Sequence, residues 1–388
     1  MRKKIYNIDY ALLMAVFALL ALSLAFIYTA SSTKALEQYG DDAFFLKRQM
    51  LRILLGAMIL YLTMRLDYRK LLQFGPVMFW GALTLLLLLQ LGPDSWAIRG
   101  TRRWISVGGF VFQPSELAKF GLILMLARLL TMKDADLRSF TDGLLPNLVL
   151  IGLACGAIML GPDTGTSTMV FAIAMAMMFI AGARLLHLIA ISAAGLTVVA
   201  AAMMIFPYQR RRLMNFIESF QDGNHIGWQV KQSLISLGNG GFAGIGLGES
   251  KQKLHWLPDP FTDFIFSIVG EELGLIGTLS VVALFLVILF RGFRIALASQ
   301  EADARLLASG MTVSIVLYAF MNIAVITHLM PTTGIPMPFV SYGGSSLLMN
   351  MFAVGVLLNI HQQNMLNRSR ARRKVTMRNR SKTYAFGL

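Results

Sequence analysis

Charge is scarce in this chain. Only 14% of its 388 residues are charged, against 56% hydrophobic, whereas soluble domains carry roughly 25% charged residues. That is too little polar surface to coat a water-exposed globule, and low charge with high hydrophobicity also excludes a disordered protein. Cysteine is scarcer still. The single Cys155 excludes an internal disulfide framework and a cysteine-rich metal site, and its apolar neighbours make it a small buried hydrophobe. The five histidines (His187, His225, His255, His328 and His361) never stand at metal-ligand spacing, so no metal ligand is named. Walker loops and Gly-x-Ser-x-Gly elbows are missing. Gly238-x-Gly240-x-x-Ala243 imitates a dinucleotide fingerprint, but no strand precedes it and no βαβ unit surrounds it. What is abundant is apolar, including 24 Met and 26 Phe. The chain reads as an all-α integral membrane protein.

A bilayer core of about 30 Å takes roughly 20 apolar helical residues per crossing. Such stretches predict ten spans, at 9–30, 46–64, 73–92, 115–132, 145–161, 166–183, 185–206, 263–290, 304–328 and 341–361. The first span is longer than the apolar region of a cleavable signal peptide, and Ser31-Ser32-Thr33 makes a poor cleavage site. Lys and Arg set the orientation. Arg2, Lys3, Lys4, Arg65, Arg69, Lys70, Arg128, Lys133, Arg138, Arg184, Arg291, Arg294 and Arg305 fall in segments on one side, with the tail after Gln363. Both termini are therefore expected in the cytoplasm. The expected organisation is a membrane domain over 1–363, a large extracytoplasmic loop at 207–262 between the seventh and eighth spans, and a basic tail at 364–388. The tail holds eight basic residues and no acid, about half of the formal net charge of +15. Anionic lipid is its expected partner. Nucleic acid is not, since nothing aromatic interleaves with the charges.

Polar residues that enter helix ends mark the candidate site. Trp256-Leu-Pro-Asp-Pro-Phe-Thr-Asp263 runs into the eighth span and places Asp263 in its first turn, either as a complement to the helix dipole or as a functional acid. Glu271 lies two turns deeper, about 12 Å along and about 80° around, so both carboxylates could line one cleft. An intramembrane carboxylate must face the bundle or water. Gln113-Pro-Ser-Glu-Leu-Ala-Lys119 opens the fourth span, with Glu116 and Lys119 as i, i+3 neighbours. Lys119 near a helix N-terminus needs an anion, and Asp163 in Gly161-Pro-Asp-Thr-Gly165 could supply it. Phe339-Val-Ser-Tyr-Gly-Gly-Ser-Ser346 opens the tenth span. Its Ser341, Gly343, Gly344 and Ser345 either permit close helix packing or offer backbone amides to a phosphate.

These runs resemble the SEDS proteins (shape, elongation, division and sporulation). Arg103–Lys119, Leu257–Phe266, Gly270-Glu-Glu-Leu-Gly274 and Pro331–Ser346 carry the resemblance, which extends over about residues 9–361. Leu247–Lys253 and Met330-Pro-Thr-Thr lean to the FtsW-like division branch, Gly334-Ile-Pro-Met-Pro-Phe-Val to the RodA-like elongation branch. The first is favoured. The resemblance implies a peptidoglycan glycosyltransferase of the bacterial cytoplasmic membrane that polymerises lipid II, an undecaprenyl-diphosphate-linked disaccharide-pentapeptide. It implies a class B penicillin-binding protein and other divisome or elongasome proteins as partners. The family's essential acid falls on Asp263, its fourth-span Glu and Lys on Glu116 and Lys119, and its acid after the fifth span on Asp163. Two positions depart from the family: Phe261 replaces a basic or His residue, and Asp259 replaces the Glu of Pro-Glu.

In such a reaction a sugar hydroxyl attacks C1 of a second sugar with inversion and expels a lipid diphosphate. Asp263 is expected to be the general base, kept ionised by the nearby helix N-terminus. Lys119, Arg102 and the run Arg210–Arg212 are candidates to stabilise the departing diphosphate, with a divalent cation (Mg or Mn) as a candidate cofactor bridging phosphates. A lipid II flippase is the rival reading, and a recruiting scaffold a third.

Overall fold

The computed structural model describes residues 8–93, 101–107, 110–132, 137–220, 226–251 and 259–385, with the side chains of 107, 110 and 370–385 excepted. Arg2, Lys3, Lys4, Lys133, His225, His255, Trp256 and Pro258 lie outside that set, as do most of the tail's basic side chains. Twelve α-helices are present among the described residues: α1 Tyr10–Tyr39, α2 Phe44–Arg65, α3 Tyr68–Leu91, α4 Pro114–Leu129, α5 Leu145–Leu160, α6 Thr164–Ile180, α7 Leu185–Ile205, α8 Pro207–Glu218, α9 Trp228–Gly240, α10 Ile265–Leu297, α11 Ala302–Ile326 and α12 Gly344–Ala385. Seven are long and apolar enough to cross a membrane: α1, α3, α5 with the π-helical turn Phe140–Leu144 before it, α7, α10, α11 and the first part of α12. The other three expected spans fall on α2, which carries Lys47, Arg48 and Arg52, on the 16-residue α4 with Glu116 and Lys119, and on the 17-residue α6.

Several helix ends differ from the sequence expectation for physical reasons. α1 continues past Ser31, whose hydroxyl is satisfied within the helix by donating back to Ile27 O at 2.6 Å, and it stops where Gly40 adopts φ 67°. α3 starts five residues before the expected 73. Asp67 caps it by accepting from Arg69 N, so Pro76 lies inside the helix rather than at its start. Polarity at 207–220 reads as loop but folds as α8, and the chain is not purely helical. An antiparallel hairpin, β1 Ile105–Val107 and β2 Phe110–Phe112, pairs Ile105 with Phe112 and Val107 with Phe110.

Close backbone approach builds the bundle. α3 meets α4 through Gly75 and Gly121, where a Cβ on Gly121 would lie 2.8 Å from Phe79 N, the small-residue contact that replaces hydrophobic drive between membrane helices. α11 and α12 are central, with 67% and 78% of their apolar windows buried, and α7 is peripheral at 11%.

Candidate active site

Two loops and two helix starts converge at one end of the bundle. Pro at the first position of α4 presets its backbone and puts Glu116 and Lys119 one turn apart, with Lys119 Nζ 2.9 Å from Glu116 Oε2. The ammonium also sits 3.8 Å from the Tyr318 ring centroid, and Lys119 is only 1% exposed. Its partner is thus Glu116 and not Asp163. Asp163 instead caps α6 through Thr166 N at 3.1 Å and accepts from Gln113 Nε2 at 3.1 Å. Arg103 fixes the preceding turn, donating to Gly161 O at 2.5 Å and to Pro162 O, with a guanidinium nitrogen 3.9 Å from Asp163 Oδ1.

Glu116, Asp163 and Tyr318 line a cavity of about 550 Å³ whose wall also includes Arg103, Gln209 and Arg212. α8 supplies the last two from one face, since Gln209 and Arg212 are i, i+3 neighbours. Arg212 donates to Thr332 O at 3.1 Å and to the Tyr208 hydroxyl. Arg210 turns away, onto a separate recess with Ile205 and Met214. Arg102 is bound to Gln90 O at 2.7 Å and does not line the cavity, where its neighbour Arg103 does. In the sequence Arg212 is reached through the run Arg210–Arg212, whereas Arg103, Gln113 and Tyr318 are missed, and of these only Arg103 carries a charge.

Asp263 stands at the cavity's edge. α10 begins at Ile265, so Asp263 lies outside its first turn. Its backbone carbonyl accepts from Asn322 Nδ2 at 2.7 Å, and the same amide group donates to Ile335 O at 2.8 Å, tying two loops together. Its carboxylate accepts from the Thr262 hydroxyl at 2.8 Å. A Cβ on Gly334, a cavity residue with φ 71°, would meet Asp263 Oδ2 at 3.8 Å. Burial pushes the Asp263 carboxyl above the usual carboxylate range, against the opposing pull of the Thr262 hydroxyl and the Arg212 charge. The expected dipole effect does not govern this acid.

The other expected site residues stand elsewhere. Glu271 is fully buried and accepts from the Ser236 hydroxyl at 3.0 Å, the Ser250 hydroxyl at 2.5 Å and Lys251 N at 3.3 Å. It anchors the chain at 236–251 and is not among the residues that line this cavity. Ser341 closes a local turn with Met337, Gly343 faces Pro336, and Gly344 abuts the Arg52 guanidinium. Ser345 Oγ accepts from Gln113 N at 2.9 Å, joining the start of α12 to the start of α4. None of these four lines the cavity. Phe261 is buried against Phe45 and Tyr342, so an aromatic cluster fills the place of the family's basic residue. Asp259 pairs with Lys34.

Among the described residues no three His, Cys, Asp or Glu form a metal-binding group. The cavity offers separate carboxylates, each already bonded, which matches an ion held mainly by substrate phosphates rather than by a protein cage.

Comparison with known proteins gives concordant results. The family model described as "Cell cycle protein", covering FtsW, RodA and SpoVE, matches residues 10–366. A probable peptidoglycan glycosyltransferase FtsW of Geobacter sulfurreducens is 40% identical over 358 residues, covering 92% of this chain and 96% of that protein. Stage V sporulation protein E of Bacillus subtilis is 38% identical over 352 residues, 91% of this chain and 96% of that protein. Among solved structures, a chain from work on the coordination of polymerization and crosslinking by a peptidoglycan synthase complex superposes with TM-score 0.75 at 29% identity, covering 92% of this chain and 98% of that one. The rod shape determining protein RodA of Thermus thermophilus gives TM-score 0.68 at 27% identity with the same coverage.

Proposed function

Since the chain belongs to the FtsW/RodA/SpoVE family, we propose that it joins lipid II units into glycan strands in the cavity beneath α8. It is a peptidoglycan glycosyltransferase and a multi-pass protein of the bacterial inner membrane. In our reading the chain crosses that membrane ten times, with both termini in the cytoplasm and the cavity on the outer face. The observation that carries the reading is the convergence of Glu116, Asp163, Arg103 and Arg212 on one cavity with Asp263 at its edge.

The chemistry follows from that arrangement. The acceptor's 4-hydroxyl attacks C1 of the donor sugar; its proton passes to the Asp263 carboxylate. The C1–O bond to phosphate breaks, its electron pair leaves with the diphosphate, and the new link is β. A positioned base contributes about 10²–10⁴ in rate. Arg212 and Arg103 face the cavity as fixed cations and stabilise charge that grows on the leaving group. Lys119, lying behind Glu116, holds that carboxylate in place rather than touching substrate. A bound Mg²⁺ or Mn²⁺ would neutralise diphosphate charge, with the cavity carboxylate of Asp163 as the residue that would help hold it. A class B penicillin-binding protein is the proposed partner, supplying crosslinks to the strands made here. Polymerisation of labelled lipid II by the purified complex tests the site. Arg212→Met should abolish glycan ladders and Arg210→Met should leave them; equal activity of the two would place the reaction elsewhere.

A further inference from the structure

At the opposite end of α10 lies a second cavity, again of about 550 Å³. Asp9, Arg291, Arg294, His361, Asn364 and Arg368 give its polar lining. Arg291 is committed, as its guanidinium grips Asp9 at 2.5–3.0 Å. Asp9 in turn caps α1 through Leu12 N. That leaves Arg294 and Arg368, both exposed, with no acid paired to either among the described residues. Asp9, Arg291, Arg294 and Arg368 all lie within electrostatic reach of His361. The geometry is fixed by helix periodicity. Arg291 and Arg294 are i, i+3 on α10, and His361, Asn364 and Arg368 share a face of α12. Asn364 Nδ2 locks the two helices by donating to Ile295 O at 3.1 Å and Ser299 Oγ at 2.9 Å.

The rim is apolar and open. Phe290 is 68% and Leu297 78% exposed, and Phe293 and Met365 complete the wall. Such a recess offers uncompensated positive charge beside a greasy groove. From Leu275, just after the break at Gly274, to Arg291 the helix runs about 24 Å, which carries the arginines to the end of the bundle remote from Asp263.

We infer that this recess is a binding site for one anionic phospholipid, whose phosphodiester is held by Arg294 and Arg368 and whose acyl chains lie along Phe290 and Leu297. The inference rests on the reading above, that this end of the bundle is cytoplasmic. It assigns the anionic-lipid affinity expected of the basic tail to a defined pocket at the tail's root. Arg291 sets the pocket's shape through Asp9, and His361 lies at its inner wall.

The test uses the full-length protein, purified and titrated with phosphatidylglycerol or phosphatidylcholine in detergent micelles, with bound lipid counted by native mass spectrometry. Wild type should retain one phosphatidylglycerol in preference to phosphatidylcholine. Arg294→Gln/Arg368→Gln should bind it about thirty-fold more weakly, from about fivefold per arginine near a lipid surface. Both arginines are exposed, so the substitutions leave the packing intact, and Arg294→Lys/Arg368→Lys should restore most of the binding. Equal retention by wild type and the Gln variant would overturn the site. Glycerol phosphate competing as well as phosphatidylglycerol would overturn a lipid in favour of a free anion. The sidedness premise is read separately. Ser369→Cys in a Cys155→Ser background should resist an impermeant maleimide added to intact cells; labelling there would sink the cytoplasmic placement while leaving the lipid count to stand on its own.

Discussion

Asp263 shows how position changes the meaning of a residue. Its sequence setting suggests a carboxylate kept ionised by a helix dipole. Its actual place, outside α10 and enclosed by Gly334 and the Asn322-bound loop, raises its pKa through burial. The sign of the consequence is definite. The folded state favours the protonated form, so this group's stabilising contribution is present at low pH and is lost as pH rises through the raised pKa. Catalysis as a base needs the ionised form, so polymerisation should fall on acidification at a higher pH than an ordinary carboxylate would dictate. Asp263→Asn should therefore abolish activity and raise the melting temperature at neutral pH, as a strained active-site group does when neutralised. Thermal unfolding of the two proteins at pH 7 checks this; a lower melting temperature for the variant would show that the ionised carboxylate is instead stabilising. Charge alone misleads at this scale. Arg102 and Arg210 look as suitable as Arg103 and Arg212, and only the turn at Gly161-Pro162 and the face of α8 separate them.

At the scale of elements, α10 is broken on purpose by its neighbour. Gly274 has φ 66° and ψ −157° inside the helix, which would strand the carbonyls of Glu271 and Glu272 and the amides of Leu275 and Ile276. The glycine-rich segment after α9 takes all four: Ile245 N and Gly246 N donate to Glu271 O and Glu272 O, while Leu275 N and Ile276 N donate to Gly241 O and Phe242 O. Non-helical backbone is tolerated at such depth only where protein satisfies it. This explains the run Gly238–Gly248, whose small residues were legible in the sequence but whose partner was not. A Cβ on Gly240 would lie 1.8 Å from Gly270 O. Gly240→Val should destabilise the protein by about 3 kcal/mol, the upper range of overpacking costs, and loosen the docking of 241–246 on α10. Differential scanning calorimetry should show the loss; an unchanged melting temperature would mean that the segment docks more weakly than its hydrogen bonds indicate. Helix α8 and the hairpin β1–β2 were illegible for a different reason: α8 is short and interrupted by three consecutive arginines, and strands of three residues are too short to show an alternation.

For the whole molecule, apolar runs exposed the membrane helices because lipid demands them regardless of tertiary detail. Their ends were less legible, since caps such as Asp67 and internal prolines such as Pro76 depend on neighbours. The site's identity was carried by long ordered motifs, and its convergence by contacts across more than 200 residues, such as Gln113 with Ser345. The same view bears on the tail. α12 continues unbroken past Gln363 to Ala385, and Asn364 is packed against α10. Truncation from Arg370 onward should leave lipid II polymerisation within about twofold of wild type in detergent, whereas a recruiting scaffold would lose its partners. Glycan synthesis by the truncated chain, measured beside co-purification of the penicillin-binding protein, decides between them; loss of synthesis with the complex intact would assign the tail a part in catalysis.

The most direct measurement is single-turnover coupling of labelled lipid II by the purified complex, its transpeptidase blocked, comparing wild type with Asp263→Ala. Wild type should give glycan ladders, and the variant should be slower by at least about a hundredfold with lipid II still bound. Ladders of equal length and rate from the variant would remove Asp263 as the base and, with it, the placement of the reaction at the edge of this cavity.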